Sequence, residues 1–314
     1  MSILVCGSMA YDNIMVFGDR FKNHILPDQI HILNVSFLVP ELRRDFGGCA
    51  GNIAYSLRLL GSDPLIVATV GDDAESYLQR LDGLGMNREY VRHVPDTYTA
   101  QAFITTDIDD NQITAFHPGA MLFSHQNDVR LAVGERARLA IVAPDGREGM
   151  LRHAEGLAEM GVPFVFDPGQ GLPILSGDEL LRCLELARYC TVNDYEARLM
   201  CDKTGQTLES LSRRVEALVV TLGSEGSRIH VGGDRIEVPA VPPAALVDPT
   251  GCGDAYRAGL LHGIEQGWDW LSCGRLASVM GALKISHRGG QSHRPGRSEI
   301  EAAYQNAFGE NPWI

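Results

Sequence analysis

The fold is decided by the stretch Val247-Asp248-Pro249-Thr250-Gly251-Cys252-Gly253-Asp254-Ala255-Tyr256-Arg257-Ala258-Gly259. Two glycines flank one small residue, and the carboxylate of Asp254 follows directly. Glycine lets the backbone turn tightly and lets a ligand approach the main-chain amides. Gly259 and the neighbouring alanines are typical of a helix that packs closely against its neighbours. The stretch therefore predicts a helix N-terminus with free N–H groups, which is a natural site for an anion.

An acidic side chain at the mouth of an anion site needs its own explanation. Asp254 would repel a bound phosphate, so a role in handling a proton explains this residue better. A general base beside an anion site favours phosphoryl transfer to a hydroxyl group.

The composition is that of a globular protein and bounds its partners. The chain has 314 residues, of which 45% are hydrophobic and 21% charged, with a net charge of −13. This length is enough for one large α/β domain or a large domain with a small appendage. The acidic balance argues against nucleic acid or an anionic membrane as the main partner. Phosphate ligands stay compatible with it because backbone amides bind them without a basic patch.

Cysteine usage and the N-terminal sequence both indicate a cytoplasmic protein. The seven cysteines form no Cys-x-x-Cys pair and no zinc-like cluster, so we expect reduced, mostly buried thiols. Residues 1–7 lack the basic and long apolar regions of a signal peptide. No apolar run is long enough to span a membrane.

Short apolar runs alternate with helical patterns through most of the chain. The runs cover residues 3–6, 65–70, 139–142, 164–166, 190–192 and 218–222. The helical patterns cover residues 50–60, 74–84, 148–160, 178–188, 194–201 and 208–214, and three more helices follow at 253–266, 268–287 and 298–308. This alternation indicates a parallel sheet with helices on both faces.

Two regions interrupt the alternation. Extended segments are predicted at residues 14–17, 30–39, 100–106 and 112–116, and residues 107–111 resemble a hairpin turn. We interpret these segments as a small inserted sheet that forms a lid over a cleft. Edge strands of the main sheet are the alternative. The predicted boundaries assign 1–12, 41–97 and 122–314 to the large domain, and 13–40 and 98–121 to the lid.

A second glycine cluster makes the interpretation of the first one more specific. It reads Gly47-Gly48-Cys49-Ala50-Gly51-Asn52, and its spacing does not fit a Rossmann fingerprint. With Asn193-Asp194-Tyr195-Glu196, Thr221-Leu222-Gly223-Ser224-Glu225-Gly226 and the stretch from Asp248 to Asp254, it resembles the ribokinase-like (PfkB-type) family of sugar and nucleoside kinases. The resemblance covers nearly the whole chain. It implies a three-layer, doubly wound, mostly parallel sheet with a small inserted β-sheet lid.

The resemblance also implies roles for residues that match the family motifs. Asp254 becomes the base for the attacking hydroxyl, and the amides of Gly251, Cys252 and Gly253 form the anion hole. Cys252 acts there through its backbone alone. The implied nucleotide-binding residues are Asn193, Glu196, Thr221, Gly223, Gly226 and Thr250.

The same resemblance implies ATP, Mg²⁺ and, in some members, K⁺. Glu196 is the expected Mg²⁺ residue, acting through water because magnesium keeps several waters. A helix-start carboxylate favoured by the macrodipole is the alternative explanation for Glu196. Carbonyls near Asp248 and residues 286–290 are the expected K⁺ ligands.

The implied acceptor site lies beneath the lid. Ser8, Asp12, Gly48 and Asn52 match its positions, and a carboxylate with an amide can hold a vicinal diol through complementary hydrogen bonds. Asp12 could instead cap a loop.

The N-terminal third also resembles the adenosine-kinase branch found in bacteria. The matching motifs include Gly7-Ser8-Met9-Ala10-Tyr11-Asp12 and Phe116-His117-Pro118-Gly119-Ala120-Met121. Phe103, Phe116 and Met121 are the predicted purine slot, with Ser36 and Gln170 as polar contacts; alternatively they form the core of the lid. The chain departs from that branch at Gly171, where a second amide is expected, and at Ala102, where an aromatic residue is expected.

Three functions remain at this stage. The first is ATP-dependent phosphorylation of the 5′-hydroxyl of adenosine, the second is phosphorylation of a free sugar such as ribose or fructose, and the third is nucleoside binding without catalysis. The intact Asp254 argues against the third. A homodimer through the lid strands is expected because such strands leave exposed edges.

Overall fold

The computed structural model describes residues 2–25, 34–109, 111–134 and 137–313, which contain thirteen strands, ten α-helices and four short 3-10 helices. The strands are β1 (Ser2–Cys6), β2 (Ala10–Val16), β3 (Glu41–Gly47), β4 (Asp63–Val70), β5 (Val91–His93), β6 (Ala100–Thr106), β7 (Gln112–His117), β8 (Ala137–Val142), β9 (Phe164–Phe166), β10 (Tyr189–Asn193), β11 (Ala217–Thr221), β12 (Ser227–Val231) and β13 (Asp234–Val238). The helices are α1 (Cys49–Leu59), α2 (Glu75–Gly83), α3 (Val129–Ala132), α4 (Arg147–Glu159), α5 (Gly177–Leu186), α6 (Asp194–Thr204), α7 (Leu208–Ser212), α8 (Cys252–Glu265), α9 (Trp270–Ile285) and α10 (Arg297–Phe308).

Nine strands form the large sheet, in the order β13-β12-β11-β10-β9-β8-β1-β4-β5. All neighbouring pairs are parallel except β11 with β12 and β12 with β13. The predicted apolar runs form the parallel strands, whose side chains are buried on both faces. The antiparallel hairpin β12–β13 was not predicted, because its residues alternate with charged side chains at the edge of the sheet.

Helices cover both faces of the large sheet, so the predicted three-layer α/β fold is confirmed. Ile3 and Val5 of β1 pack in one core with residues of α1, α8 and α9, whereas Leu4 packs in a second core with residues of α4 and α5. This alternation follows from the two-residue period of a strand. Where α8 crosses α9, a Cβ on Gly259 would meet the backbone of Ala277, so only glycine permits this close approach.

The small sheet is separate from the large one and has the order β3-β2-β6-β7. The prediction of a strand at residues 30–39 was wrong for residues 34–39, which have no regular structure, and residues 30–33 lie outside the described residues. β2 pairs with β3 on one side and with β6 on the other. The predicted boundary after residue 40 assigns β3 to the large domain, whereas β3 belongs to the small sheet. Charged residues dominate β3, as expected of an edge strand that is partly in solvent, and they hid its strand pattern.

No helix in the described part of the chain combines the length and the apolar character needed to cross a bilayer.

Candidate active site

The candidate site lies where the parallel strands of the large sheet end. Ser8 follows β1, Asp167 follows β9, and Asn193 and Thr221 are the last residues of β10 and β11. In open α/β sheets, ligands bind outside the carboxyl ends of the strands. The start of α8 and the beginning of β2 in the small sheet also reach this edge, and they bring Asp254 and Asp12 there.

Asp254 lies in the first turn of α8 and is held by a residue from the other glycine motif. Asn52 Nδ2 donates a hydrogen bond to Asp254 Oδ2 at 2.8 Å. Burial raises the pKa of Asp254, while Arg257 and the hydrogen bond from Asn52 act in the opposite direction. The two motifs, which are about 200 residues apart in the sequence, therefore form one site.

A chain of buried hydrogen bonds fixes the orientation of the Asn52 amide. Gln291 Nε2 donates to Asn52 Oδ1 at 3.2 Å and lies 2.6 Å from the hydroxyl oxygen of Tyr77. The Tyr77 hydroxyl in turn donates to the carbonyl of Gly47 at 2.7 Å. With its oxygen occupied by Gln291, Asn52 presents its N–H group to Asp254. Sequence reasoning missed Gln291, because it belongs to no motif and its position depends entirely on long-range packing.

The N-terminus of α8 forms the expected anion site with one correction. Gly251 has φ +76°, a left-handed conformation that closes the turn before the helix. This turn directs the amide of Cys252 to the carbonyl of Pro249 at 3.1 Å, so that amide already has an internal partner. No described residue accepts a hydrogen bond from the amides of Gly251, Gly253 or Asp254. The amides available to an anion are therefore these three rather than residues 251–253.

A buried arginine lies directly beneath the anion site. Arg257 pairs with Asp167, with Nη2 donating to Oδ1 at 2.7 Å, and its Nη2 lies 4.0 Å from Glu196 Oε2. A Cβ on Gly253 would lie 2.6 Å from Arg257 Nη1, which places the guanidinium against the helix terminus. Burial lowers the pKa of Arg257, but the Asp167 carboxylate outweighs this effect and the net pKa is raised. Arg257 follows Asp254 by three residues on the same helix face, a signal that could have identified it.

Asp12 faces the site from the small sheet. It pairs in register with Asp45 on β3 and Ala102 on β6. Burial, followed by repulsion from Asp45 and Asp254, raises the pKa of Asp12 to about 6. No described side chain or amide donates a hydrogen bond to its carboxylate, so both of its oxygens are available to a ligand.

The register of the small sheet places two of the predicted purine contacts, Phe103 and Phe116, on opposite faces. Asp12, Ala102 and Phe116 lie in one row across β2, β6 and β7, so their side chains share a face. Phe103 pairs with Asn13 and therefore lies on the opposite face, where it is 41% exposed. The predicted role of Phe103 as a purine contact is wrong for this reason, whereas Phe116 is on the face that carries Asp12.

The remaining predicted acceptor residues differ in their surroundings. The hydroxyl of Ser8 accepts a hydrogen bond from the amide of Cys49 at 3.2 Å, so it is already used to cap α1. Gly48 has φ +83°, and a Cβ there would meet the backbone of Ser8, Met9 and Ala10. Met121 lies next to Gly146, beyond the end of β8. Ser36 and Gln170 are exposed, and their side chains form no hydrogen bond with another described residue.

On the nucleotide side, two predicted residues bind each other. Asn193 Oδ1 accepts from the amide of Glu196 at 2.7 Å, and Glu196 Oε2 accepts from the amide of Asn193 at 2.8 Å. This reciprocal pair is a capping box at the start of α6. Glu196 is therefore the helix-start carboxylate that was the alternative explanation for this residue.

The other nucleotide-side residues lie at or near the same edge of the sheet. Gly223 is exposed with φ +59°, and Thr221 and Thr250 are partly exposed. Gly226 is buried, and a Cβ there would meet the backbone of Val238 and Ala240. We therefore assign Gly226 to the packing of the hairpin β12–β13, and its predicted contact with the nucleotide has no support in the structure.

Comparison with known proteins decides the family. The family model of pfkB carbohydrate kinases matches residues 12–296. The chain belongs to the pfkB carbohydrate kinase family. Its catalytic task is accordingly the transfer of phosphate to a hydroxyl group.

Several relatives of the pfkB family resemble the chain over nearly its whole length. A solved structure of Burkholderia thailandensis nucleoside kinase in complex with inosine is 56% identical, with a TM-score of 0.90 and 99% of each chain covered. The structure of the same kinase in complex with ADP-inosine is 58% identical, has a TM-score of 0.87, and covers 99% of this chain and 97% of the other. A nucleoside kinase of Methanothermobacter thermautotrophicus is 31% identical over 99% of this chain and 98% of the relative.

The donor set for Mg²⁺ expected of a pfkB kinase is small. No described group of three or more His, Cys, Asp or Glu side chains is arranged to hold a metal ion. Glu196 offers one carboxylate, which has one oxygen engaged in the capping box. Such a site fits Mg²⁺ only when phosphate oxygens and water supply the other ligands, which is the usual way in which proteins bind this ion.

The donor set for K⁺ does not fit. The Asp248 carboxylate accepts hydrogen bonds from the amides of Gly289 and Thr250 at 2.8 and 2.9 Å, and these lower its pKa although burial acts to raise it. The carbonyls of Asp248 and His287, which were expected to hold the ion, both accept hydrogen bonds from Lys284 Nζ. The ammonium group of Lys284 therefore already binds two of the carbonyls that were expected to hold K⁺.

Proposed function

We propose that this pfkB kinase transfers the γ-phosphate of ATP to the 5′-hydroxyl of a purine ribonucleoside. The observation that carries this proposal is the arrangement of Asp254 beside the unpaired amides of Gly251 and Gly253, with the Asp12 carboxylate facing them from the small sheet. A base, an anion site and a diol-binding carboxylate are the three parts that such a transfer needs.

In the proposed reaction, Asp254 accepts the proton of the 5′-hydroxyl while the oxygen of that hydroxyl attacks the γ-phosphorus. The new O–P bond forms as the bond between the γ-phosphorus and the β,γ-bridging oxygen breaks, and ADP leaves. The amides at the start of α8 bind the charge that spreads over the phosphoryl oxygens. Arg257 adds a fixed positive charge beneath them, and Asn52 orients the Asp254 carboxylate.

The proposed acceptor binds through both of its halves. Asp12 accepts hydrogen bonds from the vicinal hydroxyls of the ribose, and the second N–H of Asn52, whose other polar groups contact Asp254 and Gln291, donates to the same diol. Phe116 and Met121 provide apolar surface for the base. The inosine complex of the Burkholderia kinase supports a purine nucleoside, and we propose both adenosine and inosine as acceptors.

The proposed donor is ATP, which the ADP-inosine complex of the same relative supports. Thr221, Gly223 and Thr250 line the edge of the sheet where the nucleotide would lie. Mg²⁺, when bound, neutralises phosphate charge, and Glu196 would hold it through water. All seven cysteines are unpaired, which agrees with the proposed cytoplasmic location.

We propose a homodimer through the outer face of the small sheet. The register places Leu42, Met15 and Ile113 in one row on the face opposite Asp12, and Phe103 lies in the next row. Leu42 is 69% exposed and Ile113 43% exposed. Thr105 lies between Met15 and Ile113 in this row, and exposed apolar side chains bordered by polar residues are typical of a protein interface.

A panel of acceptors tests the proposed function. Adenosine, inosine, ribose and fructose are each incubated with Mg-ATP, and ADP release is measured together with the mass of the product. We expect the nucleosides to have the highest kcat/KM and to yield the 5′-monophosphates. A higher kcat/KM for ribose or fructose would replace the nucleoside with a free sugar, and ADP release that does not depend on any acceptor would contradict the proposal.

A further inference from the structure

Lys284 is a fully buried lysine next to the anion site. It lies in the last turn of α9 and has an exposed fraction of 0%. Its Nζ donates to the carbonyl of Asp248 at 2.8 Å and to that of His287 at 3.0 Å. Most buried charges pair with an opposite charge, but the hydrogen-bond partners of this ammonium among the described residues are main-chain carbonyls.

The two carbonyls belong to the two loops that border the anion site. The first loop contains Asp248 and leads into Gly251, and the second connects α9 to α10. Gly251 lies against Gly290, since a Cβ on Gly251 would lie 3.0 Å from Gly290 Cα. The amide of Gly289 donates to the Asp248 carboxylate. Lys284 therefore joins the loops at the point where they determine the position of the Gly251 amide.

Carbonyl oxygens that converge on one point are also how proteins replace the hydration shell of K⁺. An ammonium group carries the same charge and binds the same oxygens. Lys284 is also at the C-terminus of α9, where the helix dipole favours a positive charge. Carbonyl coordination and the helix terminus are two independent reasons to place a cation here, and they act against burial, which lowers the pKa of Lys284.

We propose that Lys284 is the built-in cation of this site, which replaces a monovalent metal ion and makes the enzyme independent of K⁺. The inference rests on the proposed function for its kinetic consequence, but not for the cation site itself. Lys284 is a positioning residue, since it acts on the phosphoryl group through the loop from Asp248 to Gly251. Its charge also lies close enough to Asp254 and Asp248 to lower the pKa of both carboxyls.

The wild-type protein gives the first test. Its melting temperature and its rate of ADP release are measured in KCl and in choline chloride at equal ionic strength. Coupling between two binding sites typically changes an affinity by about 5–150-fold, and without a K⁺ site we expect the two rates to agree within about twofold. We expect no difference in melting temperature. A several-fold higher rate in KCl, or a melting temperature that K⁺ alone raises, would overturn the inference.

Two variants give the second test. Lys284→Met removes the charge and retains most of the volume, and we expect kcat to fall by about 10–100-fold with little change in KM for the acceptor. Lys284→Ala leaves space for an ion, and we expect KCl, but not choline chloride, to raise both its kcat and its melting temperature. Wild-type kcat in Lys284→Met, or a Lys284→Ala variant that does not respond to K⁺, would contradict the inference.

The chain contains a matched control. Lys203 Nζ also donates to two main-chain carbonyls, those of Pro173 at 2.8 Å and Leu175 at 2.6 Å, but it lies at the end of α6 away from Asn193. Lys203→Met should retain wild-type kcat and show no response to K⁺. If neither Lys284 variant folds, the comparison of the wild type in KCl and choline chloride still tests whether the enzyme is independent of K⁺. If no acceptor is phosphorylated, the proposed function fails, and the melting temperatures alone test the cation site.

Discussion

Asp12, on β2 of the small sheet, and Asp254, in the first turn of α8, are two carboxylates with raised pKa values at the same edge of the large sheet. Burial is the largest cause for both, and Asp254 contributes to the pKa of Asp12 by repulsion. Their tasks differ, because Asp254 lies next to unpaired amides and Asp12 does not. We therefore expect the protonation state of Asp12 to control nucleoside binding, and that of Asp254 to control the chemical step.

The pKa of about 6 for Asp12 predicts a pH dependence of nucleoside affinity. A carboxylate with a raised pKa is ionised above that pH and becomes protonated as the pH falls through it. Protonated Asp12 accepts fewer hydrogen bonds from a diol, so the Kd for adenosine should rise as the pH is lowered below about 6. Calorimetric titrations between pH 5 and 8 at fixed ionic strength measure this change.

Two variants distinguish the titration of Asp12 from that of other groups that could change the affinity for adenosine with pH. Asp12→Asn should weaken binding at neutral pH and abolish the change near pH 6. Asp45→Asn removes the carboxylate that pairs in register with Asp12 and raises its pKa by repulsion, so this variant should move the midpoint to lower pH. An unchanged midpoint in Asp45→Asn, or the same pH dependence in Asp12→Asn, would exclude Asp12 as the titrating group.

At the residue scale, the sequence identifies those site residues that are in motifs. Asp254 and Asn52 were predicted, and the structure places them in contact. Gln291 and Lys284 were not predicted, because each acts through contacts with residues that are distant in the chain and neither has a characteristic neighbour sequence. The amide of Cys252 was assigned wrongly, since only the closed turn at Gly251 shows that it already has a partner.

At the scale of elements, the site depends on how α1, α2 and the loop after α9 are joined. Gln291 makes this connection, because it contacts Asn52 on α1 and Tyr77 on α2. Arg80 on α2 also binds the carbonyl of Gln291 at 2.6 Å. A substitution that keeps the shape of Gln291 but replaces the N–H group that it donates to Asn52 with an acceptor oxygen should therefore affect catalysis more than folding.

Gln291→Glu is such a substitution. A carboxylate at this position has no N–H group for Asn52 Oδ1, so the Asn52 amide should rotate and direct its oxygen at Asp254. The pKa of Asp254 should then rise, because its carboxylate loses a hydrogen-bond donor. We expect kcat to fall by about 10-fold or more and the acidic limb of the kcat–pH profile to move to higher pH.

The control for this prediction is Gln291→Met, which removes the polar contacts without introducing a charge. It should lower the melting temperature, because Asn52 Oδ1 is left buried without a partner, and it should move the acidic limb less than Gln291→Glu does. A Gln291→Glu enzyme with the wild-type pH profile would show that this hydrogen-bond chain does not orient the base.

The apolar periodicity of the sequence predicts most elements of the large sheet and its helices, because each buries a whole strand or one helix face. It fails in the small sheet. β3 is rich in charged residues and gave no strand signal, and the face of Phe103 depends on the register between β2 and β6. Register is set by pairing between segments about 90 residues apart, so local sequence could not determine it.

At the scale of the whole molecule, the two faces of the small sheet have different tasks. The face with Asp12 and Phe116 is directed to the proposed acceptor, and the face with Leu42 and Phe103 is open to solvent in the single chain. Pairing of two small sheets through the second face would remove apolar surface from water and hold each sheet over its own site.

Leu42→Asp tests this assembly, because a charge in an apolar interface is costly to bury. We expect the wild type to be a dimer by size-exclusion chromatography with light scattering, and Leu42→Asp to be a monomer. Leu131→Asp, at a similarly exposed leucine on α3, should remain a dimer. A monomeric wild type, or equal behaviour of the two variants, would show that this face is not the interface.

The most direct test of the account as a whole is the turnover of Asp254→Asn. Asparagine keeps the size of the side chain and can still accept the hydrogen bond from Asn52, but it cannot accept the proton of the 5′-hydroxyl. We predict an unchanged melting temperature, a Kd for adenosine close to that of the wild type, and a loss in kcat of at least about 100-fold. Asp202→Asn, an exposed aspartate on α6, is the control and should have wild-type kcat. A kcat of Asp254→Asn within a few-fold of the wild type would contradict the assignment of Asp254 as the base.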